Sequence, residues 1–243
     1  MRPPIVLLHG FTQTGAAWGP VTAALDQRYR PLAPDLRGHG AAALARPVSW
    51  EAVQADVARW VGEAGGDGPV TLAGYSLGGR VALAAALALG ERIDRLVVVG
   101  ASPGLADPAE RAARRAADAA LARRIERDGI VAFARDWAAQ PLFAGMSPEA
   151  ATRAQADRLG QDPGGLAAAL RGLGTGVMPP LWDRLGELVA PVALVVGERD
   201  ERFRAIAREM AARLPSAQVH VVAGAGHAVA LERPAAVAAL LHA

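Results

Sequence analysis

A five-residue motif, Gly74-Tyr75-Ser76-Leu77-Gly78, is the feature that most limits the folds open to this 243-residue chain. A short apolar run precedes the motif, and an alanine- and leucine-rich helical pattern follows it. A serine flanked in this way fits a sharp strand-to-helix turn, because glycine leaves room where the backbone approaches itself closely. At such a turn the hydroxyl of Ser76 points out of the sheet, and Leu77 N–H is exposed at a helix N-terminus. The motif therefore predicts a reactive serine at the carboxyl end of a strand.

Short apolar runs alternate with helical patterns on both sides of this motif. The runs predict strands at residues 5–8, 30–33, 70–73, 96–99, 192–196 and 218–222, with helices at 50–61, 77–89, 203–214 and 234–241. Continuous apolar runs of this length are typical of parallel strands buried on both faces. Strand-like runs are missing from residues 103–180, where alanine- and arginine-rich helical segments are broken by glycines and prolines. We predict an α/β core from residues 1–102 and 181–243, with a helical cap at 103–180 over the sheet edge where ligands bind.

The predicted partners of Ser76 follow the last two strands. A serine hydroxyl becomes reactive when a histidine takes its proton and a carboxylate orients that histidine. In the α/β-hydrolase fold the chain order is serine, acid, histidine. His227 lies in the loop after the last predicted strand, and Asp200 follows the preceding strand. Glu198 is also available but is interpreted as a turn residue, so the predicted triad is Ser76, Asp200 and His227.

The loop after the first predicted strand is expected to complete an oxyanion hole. His9-Gly10-Phe11 ends that strand. Phe11 N–H and Leu77 N–H would then face the same developing negative charge, and one such donor is worth roughly 3–4 kcal/mol in the transition state. His9 itself is interpreted as structural.

The composition excludes several kinds of site and partner. The chain has no cysteine, which rules out disulfides and thiolate metal sites, and its histidines lack the spacing of metal ligands. A net charge of +2 without a basic stripe gives no support for nucleic acid binding. The N-terminal apolar run is too short for a signal sequence, and no stretch is long enough for a membrane span. We expect a cytoplasmic enzyme without metal or organic cofactor, and its oligomeric state is left open.

Three longer segments connect the chain with a known family. The segments are Gly74-Tyr75-Ser76-Leu77-Gly78-Gly79-Arg80, Asp136-Trp137-Ala138-Ala139-Gln140-Pro141-Leu142-Phe143 and Gly197-Glu198-Arg199-Asp200-Glu201-Arg202-Phe203. With Pro103-Gly104-Leu105 and the arginine-rich run at 111–115, they resemble the 2-succinyl-6-hydroxy-2,4-cyclohexadiene-1-carboxylate (SHCHC) synthases. Arg202 stands where that family has lysine. The resemblance covers most of the chain and is most specific in the second and third segments.

The resemblance implies a lyase of menaquinone biosynthesis. In that family the substrate is 2-succinyl-5-enolpyruvyl-6-hydroxy-3-cyclohexene-1-carboxylate, a polycarboxylate from which pyruvate is eliminated. Ser76 would act as a general base, and no cofactor is implied. The alternatives are a carboxylesterase or C–C bond hydrolase that uses Ser76 covalently, and a non-catalytic receptor on the same fold.

The resemblance also assigns five residues to substrate binding: Tyr75, Arg80, Arg114, Trp137 and Arg158. Arg80 has independent support, since it lies in an otherwise apolar helix, where a guanidinium needs a partner. Arg114 is expected on an inward stripe with Ala117, Leu121 and Ile125. From the residues alone, Arg158 reads as a helix-surface arginine and Trp137 could equally be cap core.

Overall fold

A single parallel sheet organises the molecule. The computed structural model describes residues 2–241, and within them six strands are all parallel, in the order β2-β1-β3-β4-β5-β6. The strands are β1 (Pro4–Leu8), β2 (Arg30–Leu32), β3 (Val70–Tyr75), β4 (Ile93–Val99), β5 (Val192–Gly197) and β6 (Ala217–Val222). The predicted α/β fold class is confirmed.

Helices cover both faces of the sheet and fill the connection between β4 and β5. They are α1 (Gly19–Ala24), α2 (Trp50–Gly65), α3 (Leu77–Leu89), α4 (Pro108–Ala138), α5 (Pro148–Leu159), α6 (Pro163–Leu173), α7 (Glu201–Ala211), α8 (Val229–Glu232) and α9 (Pro234–Leu240). Local sequence starts several of them: Ser49 caps α2 by accepting from Ala52 N–H at 3.2 Å. The short helices α1 and α8 were not predicted, because four to six residues carry too little periodicity.

The strands bury alternate side chains in two separate cores. On one face Val6, Leu72, Leu96 and Leu194 pack with α2, α3 and α7. On the other face, side chains from the intervening positions of the strands pack with α1, α8 and α9. A sheet buried on both faces explains why its strands read as continuous apolar runs. The buried core fixes the carboxyl ends of the strands, where the site lies.

The helical segment (residues 103–180) leaves the sheet after β4, and the chain re-enters it at β5, which pairs directly with β4. It contains α4, α5 and α6, and α4 changes direction at Gly129, whose φ is +79°. A small core of Ala122, Ile125, Phe133 and Leu170 joins α4 to α6. Phe11 from the β1 loop packs against this core, so the segment lies against the loops at the carboxyl edge of the sheet.

Among residues 2–241, no helix has the length and apolar character needed to cross a bilayer.

Candidate active site

Ser76 sits at a strained turn between β3 and α3. Its φ is 51° and its ψ is −105°, and its N–H donates to Val99 O at 2.9 Å. The flanking glycines are required by space: a Cβ at Gly74 would overlap Gly78 O, and a Cβ at Gly78 would overlap Leu8 O. A positive φ at a non-glycine residue costs about 1–3 kcal/mol and persists only where the surroundings enforce it. The predicted strand–turn–helix geometry is present.

The structure brings Ser76, Asp200 and His227 together. His227 Nδ1 lies 2.7 Å from Asp200 Oδ2, and His227 Nε2 lies 3.4 Å from Ser76 Oγ. The other oxygen of Asp200 accepts from Phe203 N–H at 3.2 Å, at the start of α7. The side chains of His227 and Asp200 are buried. Glu198 instead accepts from Gly224 N–H at an exposed turn.

The loop that carries His227 is held by a contact that the sequence did not reveal. The buried carboxylate of Glu232 accepts from Gly226 N–H at 2.9 Å and pairs with Arg199 Nη2 at 2.7 Å. Arg199 N–H in turn donates to Ala225 O at 3.0 Å. These bonds fix the backbone on the N-terminal side of His227. No spacing rule links position 232 to the triad, so sequence analysis had no signal for it.

Two backbone donors next to Ser76 are free to bind an anion. Phe11 N–H and Leu77 N–H have no hydrogen-bond acceptor within the described part of the chain. The β1 loop that carries Phe11 is held in place, because Gly10 N–H donates to Gln13 Oε1 at 3.1 Å and Gly78 N–H donates to His9 O at 3.0 Å. Fixed donors of this kind suit an oxyanion hole.

The open space in front of the serine is divided into two parts. A cavity of about 420 Å³ extends towards α3 and the helical segment and is lined by Arg80, Arg114, Gln140 and Arg202. A smaller recess lies towards Tyr75 and Arg158. Both parts share Phe11, Ser76, Leu142, Trp137 and His227. A ligand in contact with Ser76 therefore has cationic groups on two sides.

Arg80 lines the larger cavity close to Arg114. Its Nη1 donates to Leu173 O at 3.0 Å, and its guanidinium lies 6.0 Å from the centre of the Trp50 ring. Burial, with a smaller contribution from Arg114, lowers the pKa of Arg80 to about 9. A guanidinium with one carbonyl partner retains N–H groups for a carboxylate.

Arg114 lines the same cavity, but the stripe expected around it is wrong in part. Ala117 is exposed, and the buried positions of the first half of α4 are Asp118, Ala122 and Ile125. Arg114 lies one turn before Asp118 on that stripe, and its Nε donates to Asp118 Oδ1 at 2.8 Å. The prediction followed apolar residues and so missed a buried acid. An aspartate four residues after an arginine on a helix was the available signal.

Arg158 corrects the interpretation drawn from the residues alone. It is 4% exposed rather than a helix-surface arginine. Its guanidinium lies 5.0 Å from the centre of the Phe143 ring, and its Nη1 donates to Gln155 Oε1 at 3.3 Å. Burial lowers its pKa. The surface reading failed because the chain after α4 folds back over α5, which a helical pattern does not encode.

Tyr75 and Trp137 both form part of the wall. Tyr75 is buried beside His227, with ring centres 5.5 Å apart. Trp137 packs against Phe11 and Phe133 at 5.3 Å and 5.4 Å and also lines the larger cavity. Its Nε1 has no hydrogen-bond partner among residues 2–241. Trp137 therefore belongs both to the core of the helical segment and to the cavity wall.

The described residues contain no group of three or more histidines and carboxylates arranged to hold a metal ion. What the site offers is a serine–histidine–aspartate arrangement, two free amides and several guanidinium groups. Such a set can move a proton, stabilise an enolate or a tetrahedral oxyanion, and bind carboxylates.

Comparison with known proteins places this geometry in a family. Residues 5–240 match the model of the alpha/beta hydrolase family. The chain is 37% identical over 235 residues to the 2-succinyl-6-hydroxy-2,4-cyclohexadiene-1-carboxylate synthase of Salmonella paratyphi B, covering 97% of this chain and 90% of that one.

Solved structures agree with the sequence matches. MenH from S. aureus superposes with a TM-score of 0.94 at 31% identity, covering 100% of this chain and 92% of that chain. A thermophilic esterase from Thermogutta terrifontis with malate bound superposes with a TM-score of 0.83 at 29% identity, covering 99% and 88%. The chain belongs to the α/β-hydrolase family and, within it, to the SHCHC synthases.

Proposed function

We propose that this protein eliminates pyruvate from 2-succinyl-5-enolpyruvyl-6-hydroxy-3-cyclohexene-1-carboxylate to form SHCHC in menaquinone biosynthesis. The observation that carries the proposal is the position of the Ser76–His227 pair between cationic groups on two sides of one space. An ester hydrolase needs only the Ser76–His227 pair, whereas a lyase that acts on a polycarboxylate needs the pair and the cationic groups around it. The names of the relatives support the same activity.

The reaction begins with the removal of the ring proton on the carbon that bears the succinyl group. His227 Nε2 takes the proton of Ser76 Oγ, and the oxygen takes the ring proton in its place. The present Oγ–Nε2 separation of 3.4 Å is at the long end for such a transfer, and catalytic hydrogen bonds commonly tighten when substrate binds. Asp200 keeps the proton of His227 on Nδ1 and stabilises the imidazolium that forms.

The electrons of the broken C–H bond pass first to the succinyl ketone oxygen. Phe11 N–H and Leu77 N–H hold the resulting enolate, each worth about 3–4 kcal/mol in the transition state. The electrons then return through the ring double bond and break the C–O bond to the enolpyruvyl group. The leaving enolate takes up a proton to become pyruvate, and the ring, which had one double bond, now has two conjugated double bonds.

Substrate binding follows from the same positions. Arg80 and Arg114 offer carboxylate contacts at one end of the space, and Arg158 offers one at the other. Each charge-assisted bond contributes about 1.5–3 kcal/mol, and arginine suits this role because its fork matches a carboxylate. Tyr75 and Trp137 would enclose the ring between these ends.

The helical segment acts as a cap in this proposal, since Arg114, Trp137 and Arg158 all come from it. We place the reaction in the cytoplasm, because a substrate with several carboxylates does not cross a bilayer unaided.

The direct test is pyruvate release from the enolpyruvyl substrate, measured through NADH oxidation by lactate dehydrogenase. We expect turnover by the wild-type protein. Ser76→Ala should lower it by about 10²–10⁴-fold, because the general base is lost. Folding of the variant is checked by its melting temperature. Absence of pyruvate with folded wild-type protein would refute the proposal.

An esterase remains the second candidate, because the same serine geometry serves acyl transfer and the T. terrifontis esterase has a similar fold. A covalent acyl-enzyme would give a burst of nitrophenolate from simple nitrophenyl esters. Burst turnover without pyruvate release would favour the esterase, whereas pyruvate release without a burst would exclude it.

A further inference from the structure

Asp118 is a buried carboxylate beside the larger cavity. It lies on α4, one helical turn after Arg114, and its Oδ1 accepts from Arg114 Nε at 2.8 Å. The side chain of Asp118 is 7% exposed, while that of Arg114 is 43% exposed. Burying a carboxylate is unfavourable unless a cation pairs with it. Arg114 is thus held through its Nε from the buried side, and it lines the larger cavity.

The second oxygen of Asp118 is closely confined. Its Oδ2 has no hydrogen-bond partner in the described part of the chain, and a Cβ at Gly174 would overlap it. Gly174 follows α6 and lines the same cavity as Arg114 and Arg80. A glycine at this position therefore leaves the space that lets the carboxylate stay beside Arg114.

The neighbouring positive charges of Arg80 and Arg114 require a nearby negative charge. The pKa of Arg80 is lowered by burial and then by Arg114, whereas Asp118 raises it. Two guanidinium groups at one end of a cavity repel each other, and one carboxylate between helix and cavity reduces that repulsion. Because the Nε of Arg114 is already bonded to Asp118, its two Nη groups remain for a ligand. They match the two oxygens of a carboxylate.

We propose that Asp118 is a positioning residue that holds Arg114 by its Nε so that the two Nη groups, beside Arg80, receive a substrate carboxylate. Asp118 itself touches neither the reacting atoms nor the substrate. The identity of the substrate rests on the proposed function, whereas the role of Asp118 concerns any carboxylate bound at this end.

The test compares kcat and KM for the enolpyruvyl substrate in five proteins: wild type, Asp118→Ala, Asp118→Asn, Arg114→Ala and the double variant Arg114→Ala/Asp118→Ala. Asp118→Ala should raise KM about tenfold and change kcat less than about twofold. The KM of Asp118→Asn should lie between those of the wild type and Asp118→Ala, since the amide oxygen of asparagine still accepts from Arg114 Nε. The double variant should match Arg114→Ala in KM, because Asp118 acts through Arg114.

Asp128→Ala is the matched control. Asp128 lies on the same helix and pairs with Arg127 at 2.7 Å, but it does not line the cavity of Ser76. It should leave KM unchanged. The proposal would be overturned if the KM effects of the two single variants added in the double variant, or if kcat fell at constant KM. Either result would indicate that Asp118 has a purely structural role. If Asp118→Ala does not fold, Asp118→Asn alone and combined with Arg114→Ala completes the same cycle.

Succinate binding, measured by calorimetry, separates this proposal from the proposed function. Its affinity should fall by similar factors in Arg114→Ala, Asp118→Ala and the double variant, even if the wild type releases no pyruvate. Undetectable binding to the wild type, or equal affinity in the wild type and Arg114→Ala, would contradict a carboxylate role for Arg114 and therefore for Asp118.

Discussion

Several individual residues are determined by the close approach of backbone segments around Ser76. Besides Gly74 and Gly78, a Cβ at Gly79 would come within 2.6 Å of Ala101 Cβ. His9 is fully buried in the adjacent loop, where Nε2 accepts from Leu36 N–H at 2.9 Å and Nδ1 lies 2.8 Å from Gly10 O. This arrangement needs neutral imidazole, because a protonated Nε2 cannot accept. The pKa of His9 is lowered to about 4, mainly by burial.

The two buried histidines, His9 and His39, should make the stability of the protein sensitive to acid. His39, packed against His9 with ring centres 5.0 Å apart, also has a lowered pKa, about 3, mainly through burial. Between the usual value of 6.5 and these values the unfolded state binds more protons, so stability is complete above pH 6.5 and falls as pH decreases. Each histidine should lower the free energy of unfolding by about 1.6 kcal/mol between pH 6.5 and 5.

Urea unfolding across this pH range measures the effect. His9→Asn should be less stable at pH 7, yet its stability should fall less steeply with decreasing pH than that of the wild type, since His39 and His220 still titrate with lowered pKa values whereas position 9 no longer does. A slope equal to that of the wild type would contradict the assignment to His9.

At the scale of elements, the loop from β6 to α8 has to present His227 to two partners at once. Glu232 at the end of α8 holds this loop through Gly226 N–H, and Arg199 ties it to the loop of Asp200. The acid and the histidine of the triad are therefore connected by a second path besides their own hydrogen bond. The orientation of His227 should depend on this path.

Glu232→Gln should lower kcat about tenfold with little change in KM. Its amide can still accept from Gly226 N–H, but the ionic partner of Arg199 is lost, so His227 is less well oriented. The melting temperature should fall slightly, consistent with about 1–3 kcal/mol. Steady-state pyruvate release measures both constants.

Glu198→Gln is the matched control, because Glu198 makes a similar bond to Gly224 N–H at an exposed turn. It should keep wild-type kcat. A rise in KM at constant kcat for Glu232→Gln would show that the residue affects binding instead.

At the scale of the whole molecule, α5 is one of the elements that couple the helical segment to the core. Asp157 accepts from Thr14 Oγ1 at 3.0 Å and from Thr14 N–H at 3.1 Å. Gln161 accepts from Gly40 N–H at 3.2 Å. These bonds flank Arg158, so the position of that guanidinium depends on docking of α5 onto the core loops.

Asp157→Ala should therefore raise KM about fivefold while kcat stays within about twofold, since Arg158 is less firmly placed but the triad is untouched. Hydrogen exchange of α5 should become faster. Glu149→Ala, an exposed position in the first turn of the same helix, is the control and should change neither. Unchanged exchange in Asp157→Ala would show that α5 is held by other contacts.

The limits of sequence analysis appear in particular residues. The turn at Ser76, and the strands after which Asp200 and His227 follow, could be predicted from residue types and short apolar runs. The position of Arg114 at the cavity could also be predicted, although its stripe runs through Asp118 instead of Ala117. The burial of Arg158 and the role of the Glu232 carboxylate could not be predicted.

The sequence by itself determined the parallel α/β fold, the turn that exposes Ser76, and the chain order in which Asp200 and His227 follow it, because these depend on local backbone geometry and on strand ends that meet at one edge. Only the tertiary structure decided that Arg158 is buried, that Glu232 holds the histidine loop and that Asp118 holds Arg114 against the cavity. Burial and pairing of charged groups depend on which helices and loops pack around them, and that packing brings together residues far apart in the chain.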